Sequence, residues 1–158
     1  MKTIHYFILN LLLAVLWIIL NREGNIFHFL LGYGIGFFIL WAFQYLLKTA
    51  AYVRTVKNFV KFVFIFTWLF LRSNLNMVKI ILFTPKNKIN PSFISYPIHD
   101  LSYFEALLMS QLITLTPGSV STELEKKVLW IHLIDLKDPQ QEIQNINNLK
   151  NLITGFTR

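Results

Sequence analysis

The sequence predicts a membrane protein with three parts: an N-terminal transmembrane α-hairpin, a long amphipathic or third membrane helix, and a small C-terminal α+β domain ordered strand-helix-strand-strand-helix. Three observations point there. Two apolar runs, Ile4 to Leu20 and Ile26 to Leu47, are each long enough, about 17 to 22 residues, to cross a hydrocarbon core of roughly 30 Å as a helix. Between them Asn21-Arg22-Glu23-Gly24-Asn25 allows only a tight connection, so the two helices run antiparallel. Finally, 54% of the 158 residues are hydrophobic, 15 residues are phenylalanine, and the mean hydropathy is +0.50, more than a soluble domain of this size can hide. The expected boundaries are 1–51 for the hairpin, 52–83 for the long helix and 84–158 for a cytoplasmic α+β domain.

Lys2 ahead of an apolar stretch resembles a secretory signal, but no small-x-small cleavage site follows Leu20 and a second apolar run begins within a few residues. The first helix is therefore expected to be retained. The connection after the second run carries Lys48, Arg54, Lys57 and Lys61, which by the positive-inside rule places it, Lys2 and the N-terminus in the cytoplasm and the short break outside. In the second helix Gly32, Gly34 and Gly36 include one small-xxx-small pair, Gly32 with Gly36, which lets another helix approach closely and suits subunit packing. Trp17, Tyr33, Trp41 and Tyr45 read as interface or packing aromatics.

Across residues 52–83, Arg54, Lys57, Lys61, Arg72 and Lys79 recur near multiples of 3.6 and make a basic stripe opposite Phe, Val, Ile and Leu. Such a helix lies along the membrane surface, its basic side chains docking on lipid phosphate or a neighbouring subunit. The competing reading is a third span through Phe59 to Leu71. It puts the C-terminal domain outside and leaves a charge within the helix.

Thr84-Pro85-Lys86-Asn87-Lys88 stops the helix. A strand is expected from Pro91 to Ile98. Ser102 and Glu105 form a capping box that opens a helix through Leu115, too short to span a bilayer and read as buried. Thr116-Pro117-Gly118 ends it. Val120, Thr122 and Leu124 alternate with polar residues as a half-buried strand, and Val128 to Leu136, apolar on both faces, is the central strand, joined through Glu125-Lys126-Lys127. Asp138 caps a last helix with Pro139 at its first position and Gly155 after its end. The core is small and is expected to lean on the membrane helix or on partners.

Charge and residue types narrow the chemistry. None of the eight carboxylates lies in either proposed span, so the intramembrane acid normally needed for proton relays and cation sites is missing. There is no cysteine, hence no thiolate nucleophile or cysteine zinc site. The net charge of +7 flanks apolar helices, making anionic lipid the counter-charge rather than nucleic acid. His99-Asp100 and His132 with Asp135 are the candidate ligand cluster, but neither a His-Glu-x-x-His spacing nor a nucleophile elbow supports it. His5 and His28 fall near the expected membrane boundaries. No catalytic residue, cofactor or metal site is expected, and the chain is not expected to be an enzyme.

Several stretches together carry a family resemblance: Leu112-Ile113-Thr114-Leu115-Thr116-Pro117-Gly118-Ser119-Val120-Ser121, then Leu129-Trp130-Ile131-His132-Leu133-Ile134-Asp135, with Val78-Lys79-Ile80-Ile81-Leu82-Phe83-Thr84-Pro85 and Asn90-Pro91 before them. With the glycine-containing second helix and the total length, this pattern resembles the E subunit of the Mrp/Mnh multisubunit sodium/proton antiporter. It departs in its hairpin turn, where related chains more often carry Asp or Gly. The resemblance implies a small subunit of a bacterial plasma-membrane complex that exchanges cytoplasmic sodium for external protons. Large subunits resembling the pumping subunits of respiratory complex I then carry the ion-translocating residues. Thr116, Pro117, Gly118, His132 and Asp135 become structural motif residues. The expected role is assembly and support, with the other subunits, membrane lipid, sodium and protons as partners. A membrane-tethered cytoplasmic binding or regulatory module unrelated to transport is the alternative.

Overall fold

The computed structural model describes residues 2–22, 24–125 and 127–158. Glu23 of the first connection and Lys126 of the predicted strand turn lie outside the described residues. Five α-helices and three strands follow the expected order: α1 Lys2–Asn21, α2 Ile26–Ala42, α3 Ala50–Phe83, β1 Ser92–Pro97, α4 Tyr103–Leu115, β2 Ser119–Glu125, β3 Val128–Leu133 and α5 Pro139–Thr157. Contacts divide the chain into two compact units, Met1–Asn58 and Phe59–Arg158, with α3 passing without a break from one into the other.

In the first unit α1 and α2 pack antiparallel, Gly32 against Trp17 and Gly36 against Asn10 and Leu13. Asn25 caps α2 by accepting from the His28 N–H at 2.9 Å. The expected helix to Leu47 is five residues too long. α2 ends at Ala42 because the chain turns at Phe43, and Lys48 takes a left-handed φ of 55°. The buried Thr49 then donates its hydroxyl to the Leu40 carbonyl at 2.7 Å, satisfying the helix end with a side chain nine residues on. Leu40, Tyr52 and Val53 form the small core of this unit. Two helices, Thr3–Asn21 and Ala50–Phe83, are long and apolar enough to cross a membrane. α2, with 17 residues, sits at the lower bound of about 17 to 25.

In the second unit β1 and β2 both pair antiparallel with β3, giving the order β1-β3-β2. β3 is central, as its apolarity on both faces predicts. It stops at Leu133 rather than Leu136, because the Ile134 N–H turns to the Gly118 carbonyl and the Leu136 N–H to that of Asn90. The inner face of the sheet, with Ile94, Tyr96, Leu129, Ile131 and Leu133, packs with Met109 and Ile113 of α4 and Ile146 and Ile153 of α5. Phe62 of α3 joins this core and meets Phe156 at 5.0 Å. α4 is buried on one face only, since Tyr103 and Phe104 are exposed. Its capping box forms as read, with Ser102 and Glu105 bonded reciprocally. α5 runs past Gly155 to Thr157. Its last turn is held by the Thr157 hydroxyl and the Arg158 guanidinium, both donating to Glu105, which outweighs glycine's tendency to end a helix.

Candidate functional site

Three places bring together the residues singled out in the sequence. Inside the hairpin, a Cβ added to Gly36 would overlap Asn10 Oδ1, and one added to Gly32 would lie 2.7 Å from the Trp17 Cβ. Both glycines are thus occupied by the chain's own first helix. Gly34 faces open space. The close approach at Gly36 makes room for a polar cluster that sequence reasoning passed over. The Asn10 amide donates to the Tyr52 hydroxyl at 3.0 Å, and the Tyr33 and Tyr52 hydroxyls are 3.3 Å apart. A lone asparagine in an otherwise apolar run was the available signal. Asn10 is fully buried, and such a group in an apolar hairpin holds its partners firmly.

The long helix presents three faces. Phe62, Phe66, Ser73 and Ile80 turn toward the second unit's core and turns. Val63, Phe64, Phe70, Leu71, Val78 and Ile81 are exposed and apolar, roughly 120° around the helix. Arg54, Lys57, Lys61, Arg72 and Lys79 line the remaining third, all exposed. Lys57 sits over the Trp41 ring at 5.2 Å, a cation–π contact within the first unit. Arg72 and Lys79 also border a groove of about 690 Å³ whose far wall is Gln141, Asn145 and Leu149 of α5.

The motif residues converge behind α4. Thr116 caps the helix, donating its hydroxyl to the Leu112 carbonyl at 2.9 Å. The Pro117 carbonyl accepts from the Ser73 hydroxyl at 2.8 Å, fixing the turn to α3. Gly118 has φ of 96°, a conformation that L side chains rarely adopt, and its carbonyl takes the Ile134 N–H. The next residue, Asp135, accepts from the Asn90 N–H at 3.2 Å through Oδ1. Thr116, Pro117, Gly118, Ile134 and Asp135 line a cavity of about 240 Å³. His132 is not part of it: its ring lies 4.6 Å from Phe93 on the opposite, open face of the sheet, beside the exposed Trp130. His99 and Asp100 are exposed, and Asp100 pairs with Lys150 at 2.8 Å. Among the described residues no three His, Asp or Glu side chains gather as a metal site.

The electrostatics of this unit centre on Glu105, which is 3% exposed. The Arg158 guanidinium donates to both its carboxylate oxygens, at 3.0 and 2.9 Å. Those bonds hold its carboxyl well below the usual range, against the opposing effect of burial, with Thr157 and Ser102 adding further donors. Lys150 likewise lowers the Asp100 carboxyl, and Asp100 in turn raises the Lys150 ammonium.

Comparison with known proteins places this arrangement. A family model described as "Na+/H+ ion antiporter subunit", MNHE, matches residues 10–153. The E subunit of the Na(+)/H(+) antiporter of Alkalihalophilus pseudofirmus is 31% identical over 143 residues, 89% of this chain and 90% of the relative. The E1 subunit of a Na(+)/H(+) antiporter from Staphylococcus epidermidis is 30% identical over 144 residues, 90% of each chain. A chain in the structure of the membrane-bound sulfane sulfur reductase, an archaeal respiratory membrane complex, shares the fold with a TM-score of 0.55 at 20% identity, over 94% of this chain and 98% of that one.

Proposed function

This chain belongs to the E-subunit family of the multisubunit sodium/proton antiporters, and from that premise we propose that it is a non-catalytic accessory subunit supporting assembly and the export of sodium in exchange for protons. The observation that carries this reading is charge placement. Glu23 is the sole acid before Asp100, so α1, α2 and α3 contain none. Membrane proton relays and cation sites ordinarily require such an acid, and the neighbouring subunits then supply it.

The parts divide the work accordingly. Residues 1–51 anchor the chain as a transmembrane hairpin, residues 52–83 lie at the cytoplasmic membrane surface, and residues 84–158 form a cytoplasmic cap. Gly32 and Gly36 serve the hairpin itself. Gly34, which meets nothing within 4 Å, leaves a flat strip for a helix of another subunit. Arg54, Lys57, Lys61, Arg72 and Lys79 dock on lipid phosphate or on a neighbouring subunit. Thr116, Pro117, Gly118 and Asp135 hold the turn that ties α4, α3 and β3 together, and His132 packs on the open sheet face.

The test is deletion of this gene in a strain lacking other sodium exporters, scoring sodium-driven proton flux in vesicles and recovery of the remaining complex. Loss of both is the expected result. Lost flux from a fully assembled complex places the chain in the ion path, and unchanged flux and sodium tolerance remove it from antiport; either result overturns the accessory role.

A further inference from the structure

Between α3 and α5 the core of the second unit is left open. The groove of about 690 Å³ found there is lined by Phe66, Leu69, Ile146 and Leu149, and it reaches the buried Ile131 and Leu133 on the inner face of the sheet. Its size falls within the about 300–1,000 Å³ of sites that take small molecules. Arg72 and Lys79 stand on its rim, two helical turns and about 10 Å apart on one side of α3, with Asn76 between them. All three are exposed, and neither cation forms an ion pair among the described residues. Glu142, the single carboxylate in the lining, accepts from the Asn145 amide at 2.8 Å. The groove thus joins an apolar slot to a rim of net positive charge, and the accessory role leaves the slot unused.

We propose that this groove holds one anionic phospholipid of the cytoplasmic leaflet, with its phosphate on Arg72 and Lys79 and one acyl chain in the slot. Two features decide the class of occupant. The rim calls for negative charge, and basic pockets at the cytoplasmic membrane surface take anionic headgroups. The slot calls for a chain without polar groups. An extended peptide brings backbone N–H and C=O groups for which an apolar lining has no partners, whereas an acyl chain brings none. Each methylene taken out of water there contributes about fourfold to binding. The inference rests on the surface position proposed for α3. With the open face of Phe64, Leu71 and Val78 sunk among the acyl chains, the basic third of the helix stands at the level of the phosphates. The groove behind it is then within reach of a lipid that turns one chain upward, and that chain fills the gap in the core between α3 and α5.

The experiment is native mass spectrometry of the full-length chain released from detergent micelles that contain phosphatidylglycerol and phosphatidylcholine in equal amounts. The wild type is expected to retain one phosphatidylglycerol. Arg72→Gln with Lys79→Gln weakens that binding about thirtyfold, the scale of two basic residues at an anionic surface. Lys88→Gln with Lys127→Gln removes the same charge from exposed positions outside the groove and changes binding by less than about threefold. Asn145→Trp, at an exposed position on the far wall, narrows the slot without altering charge, and withholding two methylenes costs at least about tenfold. Circular dichroism melting verifies that each variant folds. Equal retention of the two lipids, equal losses in the two double variants, undiminished binding by Asn145→Trp, or displacement by millimolar inorganic phosphate overturns the proposal. Retention of no lipid also overturns it and leaves the groove to an acidic segment of a neighbouring subunit. Lipid is counted in micelles without ion flux or a bilayer, so failure here is distinct from failure of the antiporter role or of the surface position of α3.

Discussion

Gly36 leaves the Asn10 carbonyl oxygen a place that any larger residue would take, since an added Cβ would overlap it. Gly36→Ala is therefore expected to cost about 1–3 kcal/mol, whereas Gly34→Ala stays within about 0.5 kcal/mol. Thermal melting of the purified chain reads both. The clash is with one side chain, so Asn10→Ala in the Gly36→Ala background recovers part of the loss, and a purely additive double variant sinks the explanation. At Glu105 the prediction concerns pH. Its carboxyl is lowered in the folded chain from an ordinary 4.5, so its stabilisation is complete above that value and disappears as pH falls through the lower folded value. Arg158→Ala should then lower the melting temperature by several degrees at pH 7, and the gap to wild type should close in strong acid. A gap that persists there assigns Arg158 a packing role instead. The capping half of this site was legible, because Ser-x-x-Glu is a local signal. The Arg158 half was not, since 53 residues separate the partners.

Among the elements, α3 shows how far periodicity reaches. The basic stripe was readable from spacing, but the opposite side divides into a face packed on the second unit's core and an open apolar face, and hydropathy does not distinguish them. At 34 residues and about 51 Å, the helix exceeds the roughly 30 Å hydrocarbon core, so depth along it separates the proposed surface position from a span whose ends extend into water. The chain has no cysteine, so single cysteines carry spin labels without background. A label at Phe64→Cys is expected about 5–10 Å below the phosphates, and one at Arg72→Cys in water. A Phe64 label near mid-bilayer, about 15 Å deep, restores the third span. The end of α2 was illegible for a different reason. No glycine or proline marks Ala42, and the helix stops because Thr49 reaches back to Leu40. For α4 and the start of α5, local caps set the boundary where the sequence places it; at Gly155 a tertiary contact prevailed over a local signal.

For the whole molecule, the proposed topology predicts that a membrane-impermeant maleimide labels Gly24→Cys in intact cells and labels Asn148→Cys after the membrane is opened. Labelling of Asn148→Cys from outside reverses the placement of the C-terminal unit. The strand order was largely legible, because a strand apolar on both faces belongs in the centre of a sheet. The candidate site was legible at the Thr-Pro-Gly turn, where proline and glycine mark it, and Asp135 was singled out with it, but the contact of Asp135 with Asn90, 45 residues away, was hidden. The central place of β3 also sets a timetable for biosynthesis. β1 pairs with β3 and with no earlier strand, so it waits while about 36 more residues are made, roughly 2–7 s at ordinary elongation rates. Until then Phe93, Ile94 and Tyr96 have no partner strand, and both edges of β1 are free to pair with another chain. Nascent chains arrested before Leu133 should therefore depend on chaperones and be cleared by proteases, whereas those released within α5 already carry a closed sheet.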